Sequence, residues 1–334
     1  MKRAVLLIAV LGCGEEKKEK PFGIDPPPLG AQIHLERATL DPMTQRTICE
    51  ERILGSASAL LSDAGAGDAG AGNDGPLRVV AMELLATPVL KRIEVYALDE
   101  ASGAPAGDCP LLPVSIMGDL SEPIRMVYYA DVSGAVEEAV DHLTIPGGAA
   151  IPLDDDQPLL LRYAVQTGAE AEDLEVFLNL SSNPDASEVA APYTLTNRSI
   201  TIPATTNIEV ETTCLFDYAH DVLTVAGHQH DSTLLGQPLG AGIGVTVTHD
   251  GKAVLSGRAG PWAVLAPLEI PAGGGLTFSC AYNNNSSDTI VHGKTEFDEM
   301  CRIFGWLTGA NRAVMATAFD ASGQSKCDVN DDEK

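Results

Sequence analysis

LRVVAMELLATPVLKRIEVYAL, residues Leu77 to Leu98, holds two short runs rich in valine, isoleucine and other strand formers, with Pro88 between them. Runs of this length, bounded by turn residues, read as β-strands. The pattern extends in both directions. IRMVYYADV (Ile124–Val132), LLLRYAVQT (Leu159–Thr167) and LEVFLNL (Leu174–Leu180) continue it, bounded by glycine, proline, aspartate and asparagine. IEVETTCLF (Ile208–Phe216), DVLTVAG, GIGVTVTHDG and LTFSCAYN repeat it in the C-terminal half. Helical periodicity is weak, and the one plausible helix is Pro42 to Leu61. Regular short strands with turn signals argue for β-sandwiches. At 334 residues, two tandem antiparallel, jelly-roll-like sandwiches fit better than one. The seam is expected near Thr194–Thr205, where TLTNRSITIPAT shows little core character. That divides the chain into residues 31–196 and 197–334.

Composition narrows the function. The hydrophobic share of 45% supports true cores, and a formal net charge of −26 repels nucleic acid and anionic membrane surfaces. Ser62 to Pro76, SDAGAGDAGAGNDGP, is a low-complexity loop that packs no core. The N-terminus, MKRAVLLIAVLGCG, has a basic start and an apolar run too short to span a bilayer. It resembles a bacterial lipoprotein signal, residues 1–12, with Val10-Leu11-Gly12-Cys13 as the lipobox and Val10 in place of the commoner leucine. The resemblance implies a lipid on Cys13. Gly14 after the cysteine implies an outer-membrane address. Residues 13–30, charged at Glu15–Lys20 and then proline-rich, read as the tether.

Without Cys13, six cysteines remain: Cys49, Cys109, Cys214, Cys280, Cys301 and Cys327. An even number in an exported chain suggests three disulfides, and six cysteines allow fifteen pairings. No CxxC supports a zinc ribbon or a thioredoxin-like site.

VAGHQHD, Val225 to Asp231, places His228 and His230 two apart in a chain with seven histidines. Alone, the pair reads as two polar residues on a wet strand. Downstream lies CAYNNNSSDTIVHGKTEFDEMC, Cys280 to Cys301. Taken together, Cys214, the H-x-H, Cys280-Ala-Tyr-Asn, Gly293 and Asp298-Glu299-Met300-Cys301 resemble the C-terminal domain of the copper type II, ascorbate-dependent monooxygenases, the dopamine β-hydroxylase and peptidylglycine monooxygenase relatives. Residues i and i+2 of a strand face one side, so both imidazoles can address one ion. The resemblance implies Met300 as third ligand, a soft thioether suited to Cu(I). It also implies the pairings Cys280–Cys301 and Cys214–Cys327, and places Cys49 and Cys109 where a family disulfide flanks the N-terminal domain.

That family carries a second, electron-storing copper on an adjacent His-His pair and a third histidine. Here the corresponding positions read Lys91-Arg92 and Ala164. Lysine ligates only when deprotonated and arginine effectively never does. His34, His142, His220, His249 and His292 read as ordinary surface histidines, with His220 the nearest to the pair in sequence. The basic residue that holds a substrate carboxylate in the peptide-hydroxylating branch is replaced by Ala226. Arg302 is expected at the surface. Gly240–Gly244 lacks the strand-then-helix setting of a phosphate loop, Asp154–Asp156 lacks calcium-loop spacing, and no hydrolase triad is recognisable.

The residues favour a copper-binding exported lipoprotein with one copper per chain, catalytically silent or impaired because the electron-storing ligands are replaced. One alternative is an active copper monooxygenase acting on a small-molecule substrate with an ascorbate-like reductant. The other is a metal-free structural double sandwich.

Overall fold

The computed structural model describes residues 22–54, 76–98, 107–109, 125–132, 138–154, 156–229, 242–257, 262–292, 300–310, 314–318 and 324–329. The lipobox with Cys13, the Glu15–Lys20 run, residues 62–75 and His230 lie outside them. The described residues are all β. The first half contributes β1 (Gly30–Leu40), β2 (Gln45–Ile53), β3 (Leu77–Ala86), β4 (Leu90–Ala97), β5 (Gly107–Asp108) and β6 (Arg125–Asp131). It continues with β7 (Ala139–Thr144), β8 (Ala149–Leu153), β9 (Pro158–Gln166), β10 (Glu172–Ser182) and β11 (Glu188–Val189). The second half holds β12 (Ala191–Asn197), β13 (Thr201–Ile202), β14 (Thr206–Phe216), β15 (His220–His228), β16 (Gly242–His249) and β17 (Lys252–Gly257). After these come β18 (Ala263–Ile270), β19 (Gly275–Asn284), β20 (Ile290–Val291), β21 (Cys301–Thr308), β22 (Val314–Ala318) and β23 (Gln324–Val329).

Each half is two sheets face to face. In the first, β1-β10-β3-β8-β11, with β7 also on β3, packs on β5-β2-β9-β4-β6. In the second, β18-β15-β21-β12-β22 packs on β17-β16-β19-β14-β23. With the peripheral β5, β7, β11, β13, β20, β22 and β23 set aside, eight strands remain in each half. Counted along the chain, both sets interleave as 1-8-3-6 in one sheet and 2-7-4-5 in the other. That is jelly-roll winding, used twice. The pairing is antiparallel apart from β11 on β8, β12 on β22 and β14 on β23, which run parallel.

Period-two alternation builds the cores. On β4, Ile93, Val95 and Ala97 enter the first core among Leu84, Val127 and Leu161. The second core gathers Leu195, Val210, Phe216, Val225, Val247, Phe278 and Ile303. Three disulfides are present, Cys49–Cys109, Cys214–Cys327 and Cys280–Cys301, in the pairings that the resemblance implies. Four of these six cysteines are buried in the second core. Cys214 and Cys327 face each other across β14 and β23 and close 113 residues of sequence. A double Cys214→Ala, Cys327→Ala variant should lose about 2–5 kcal/mol, read as a lower denaturant midpoint. An unchanged midpoint would mean that β23 docks without the link.

Three sequence expectations are corrected. The helix expected at Pro42–Leu61 is β2 over Gln45–Ile53, paired with β9 from Gln45↔Gln166 to Ile53↔Pro158. A turn at Asp41–Thr44, closed by Thr44 Oγ1 donating to the Asp41 carbonyl at 2.7 Å, delivers the chain to that partner, and sheet pairing overrides the local propensity. The proline-rich residues 22–29, expected as tether, lie against β1 and β10. Asn179 donates to the Asp25 carbonyl at 2.9 Å, Gln32 donates to the Ile24 carbonyl at 3.0 Å, and Phe22 meets the Phe177 ring. The stretch thought poor in core character is buried at Leu195, Ile200 and Ile202. β12 pairs with β21, Leu195 opposite Ile303, so the changeover between cores comes at Ala190 and Ala191, ahead of the expected seam. TLTNRSITIPAT looks polar because its threonines alternate with the few apolar residues that point inward.

The candidate metal centre and the interface between the sandwiches

The sheet with β4 and β9 turns its outer face towards the sheet with β15 and β21. On β4 the residues alternating with the core set are Arg92, Glu94 and Tyr96, all buried. Cross-strand register puts Glu94 opposite Arg162 on β9 and opposite Tyr129 on β6, and Arg92 opposite Ala164. On β15 and β21, Ala226 lies opposite Phe304, and His228 opposite Arg302. Tyr96, Met126, Tyr129 and Leu160 of the first half pack with Ala226 and Phe304 of the second as one apolar cluster. Lys91, Arg92 and Ala164 therefore lie on one of the two facing sheets and His228 on the other, with Met300 directly before β21 of that second sheet.

At the position that the resemblance assigns to the second copper, the side chains form an ionic knot. Arg162 Nη1 donates to both Glu94 oxygens, at 2.9 and 3.0 Å. Arg92 Nε lies 3.1 Å from Oε1, and the Tyr96 hydroxyl donates to Oε2 at 2.7 Å. Burial alone would raise the Glu94 pKa. The two guanidinium groups and the Tyr96 hydroxyl outweigh it and bring it down to about 2. Lys91 Nζ donates to the Pro88 carbonyl at 2.7 Å, and burial lowers its pKa against a partial opposing effect of Glu172. A guanidinium ion-paired to a carboxylate is no ligand for a cation, so these residues do not fit a metal.

Arg302 corrects a sequence expectation. It is buried at 6% exposure, not solvated, and its Nε donates to Thr196 Oγ1 at 3.2 Å. Burial pulls its pKa down, against the pull of Tyr96 and Glu94 across the interface. The position looked superficial because the sheet that covers it comes from the other half of the chain.

His228 is likewise no wet-strand residue; its exposure is 4%. Its Nδ1 shares a 3.1 Å hydrogen bond with the Tyr129 hydroxyl, and the two rings meet edge-on at 5.7 Å. Tyr129 is held in turn by Phe304, edge-on at 4.8 Å, and by Trp262 Nε1, which donates to its main-chain carbonyl at 2.8 Å. Trp262 stacks at a tilt on Trp306, centroids 4.7 Å apart. Both tryptophans of the chain thus sit at this interface. Burial, ahead of nearby Asp131, keeps the Tyr129 hydroxyl neutral.

Met300 is buried at 1% exposure and directly precedes β21, the strand paired with His228. Its carbonyl accepts from the Tyr282 hydroxyl at 2.8 Å, and the next residue, Cys301, is bridged to Cys280 on β19. The other expected histidine ligand, His230, and Gly293, Asp298 and Glu299 lie outside the described residues. Among the described residues no three His, Cys, Asp or Glu side chains converge as a metal site. The expectation rests instead on imidazole and thioether, a donor set that suits Cu(I). His220, expected at the surface, is buried and its Nδ1 bonds to the Thr308 carbonyl at 3.3 Å. The residues that sequence reasoning missed are Tyr129, Glu94 and Arg162. Only the alternation within KRIEVYA signalled a second face.

No family model matches the chain, and no curated protein matches it. Among solved structures it is similar to the major capsid protein P2 from bacteriophage PM2, at 8% identity and TM-score 0.30, over 82% of this chain and 97% of that one. It is also similar to the PBSX exported protein XepA, at 9% identity and TM-score 0.23, over 84% and 87%. A third is PNGF-II, at 9% identity and TM-score 0.24, over 79% of this chain and 65% of that one. None of these carries an assignment of function to this chain.

Proposed function

We propose that this chain is a copper-binding protein that holds one ion at His228, His230 and Met300 and lacks an electron-storing partner copper. One observation carries the reading. The strand with His228 is paired with the strand headed by Met300, while the position for a second metal is taken by the Arg92–Glu94–Arg162 knot. When bound, the copper supplies a one-electron redox centre. The protein's own residues bury the imidazole, orient it and anchor the main chain at Met300. Monooxygenation needs two electrons per O₂, so a single site favours binding, buffering or transfer of copper over hydroxylation. The address follows the same reading: Cys13 carries lipid at the outer membrane, and three disulfides support an oxidising compartment.

The test is metal stoichiometry. Residues 21–334, loaded anaerobically with Cu(I) and dialysed, should retain one copper per chain, and His228→Ala should retain none. Two coppers, or ascorbate-dependent oxygen consumption by the one-copper form, would move the assignment to a monooxygenase. No copper would leave a structural double sandwich.

A further inference from the structure

We infer that Tyr129, a residue of the first sandwich, is the positioning residue for the copper ligand His228 of the second. This rests on the copper reading above and adds a residue to it. The Tyr129 hydroxyl engages Nδ1 of His228 at 3.1 Å, so a metal held by this ring is held through Nε2. Histidine ligands characteristically give their other ring nitrogen to an oxygen partner, which sets tautomer and ring orientation. Here that partner lies 99 residues away in sequence and across the interface.

The hydroxyl suits both states of the ring. Towards a metal-free imidazole that carries its proton on Nε2, the phenol donates to Nδ1. With a metal on Nε2, the ring proton would lie on Nδ1 and the hydroxyl would accept it. The same hydrogen bond would serve both states, with one proton on the ring and one on the phenol in each.

Tyr129 is itself fixed independently of that bond. Phe304 contacts its ring edge-on, and Trp262 binds its main-chain carbonyl rather than its hydroxyl. Tyr129→Phe therefore deletes one oxygen and leaves the packing in place. The orientation of the His228 ring is a joint product of both sandwiches, and the metal centre is complete only when they are docked.

The experiment compares wild type, Tyr129→Phe and His228→Ala by Cu(I) competition against a chromogenic chelator, with the Cu(II) EPR spectrum and the melting temperature of each. Tyr129→Phe should weaken copper about 10–100-fold and shift the copper hyperfine splitting, with far less change in the melting temperature. His228→Ala should abolish binding. If His228→Ala binds normally, the metal lies elsewhere and the copper reading fails. If His228→Ala loses copper while Tyr129→Phe matches wild type in affinity and spectrum, only the role of Tyr129 is overturned. Should Tyr129→Phe fold poorly, nitrogen NMR of the Cu(I)-loaded wild type decides. A protonated Nδ1 with metal-bound Nε2 upholds the inference, and metal on Nδ1 overturns it.

Discussion

Replacing Glu94 with glutamine should destabilise the protein by about 3–5 kcal/mol, the usual cost of removing one partner from a buried ion pair. The carboxylate is 3% exposed and accepts from Arg162 and Tyr96 while pairing with Arg92. Glutamine keeps the shape and one acceptor oxygen, but its amide nitrogen faces donors. The arginines would then remain in a low-dielectric setting without that charge. Denaturant unfolding measures the loss, and a change under about 1 kcal/mol, the level of an exposed pair, would show the knot to be open to water. The pH dependence has a definite sign. Glu94 titrates at about 2 in the folded chain, below its ordinary 4.5. The stabilisation is fully present above the ordinary value and is lost as pH falls from there towards 2. The glutamine variant should lack that part of the acid limb.

Phe304→Ala should cost a further about 3–5 kcal/mol, the range for a buried aromatic truncated to alanine. Phe304 is 1% exposed and meets Tyr129 and Trp262 edge-on, at 4.8 and 5.3 Å. Its loss opens a void between the sandwiches rather than inside either one. The expected signature is therefore twofold: a lower melting temperature and a change in tryptophan fluorescence, because Trp262 loses a neighbour. A variant with unchanged fluorescence and stability would mean that the interface closes over the gap.

How far the structure was legible in the sequence depends on where each residue finds its partner. Strands such as LKRIEVYAL announce themselves because alternation is local. The same alternation separates Arg92, Glu94 and Tyr96 from Ile93, Val95 and Ala97, so the existence of a polar face was readable. Its burial was not, because the covering sheet comes from residues more than a hundred positions away. Arg302 was misjudged for the same reason. The false helix at Pro42–Leu61 arose because β2 has neighbours, β9 and β5, that no local window contains. The Cys280–Cys301 and Cys214–Cys327 pairings came from resemblance; parity alone left them open. The resemblance singled out Lys91-Arg92 and Ala164 without saying how they lie; that Arg92 is opposite Ala164 is a matter of cross-strand register.

The parallel docking of β23 beside β14 has a consequence for the order in which the molecule is finished. The strands of the first sandwich are all made by Val189, and a growing chain folds such a unit as soon as it is available. The second sandwich has to wait. Until Gln324–Val329 arrives, β14 is an open edge with unpaired amide and carbonyl groups, a surface to which another chain can pair. The Cys214–Cys327 link then acts as a latch set by β23, which comes last among the described strands of the second sandwich. That interval is the one in which misassembly is expected, with β14 as the exposed seam.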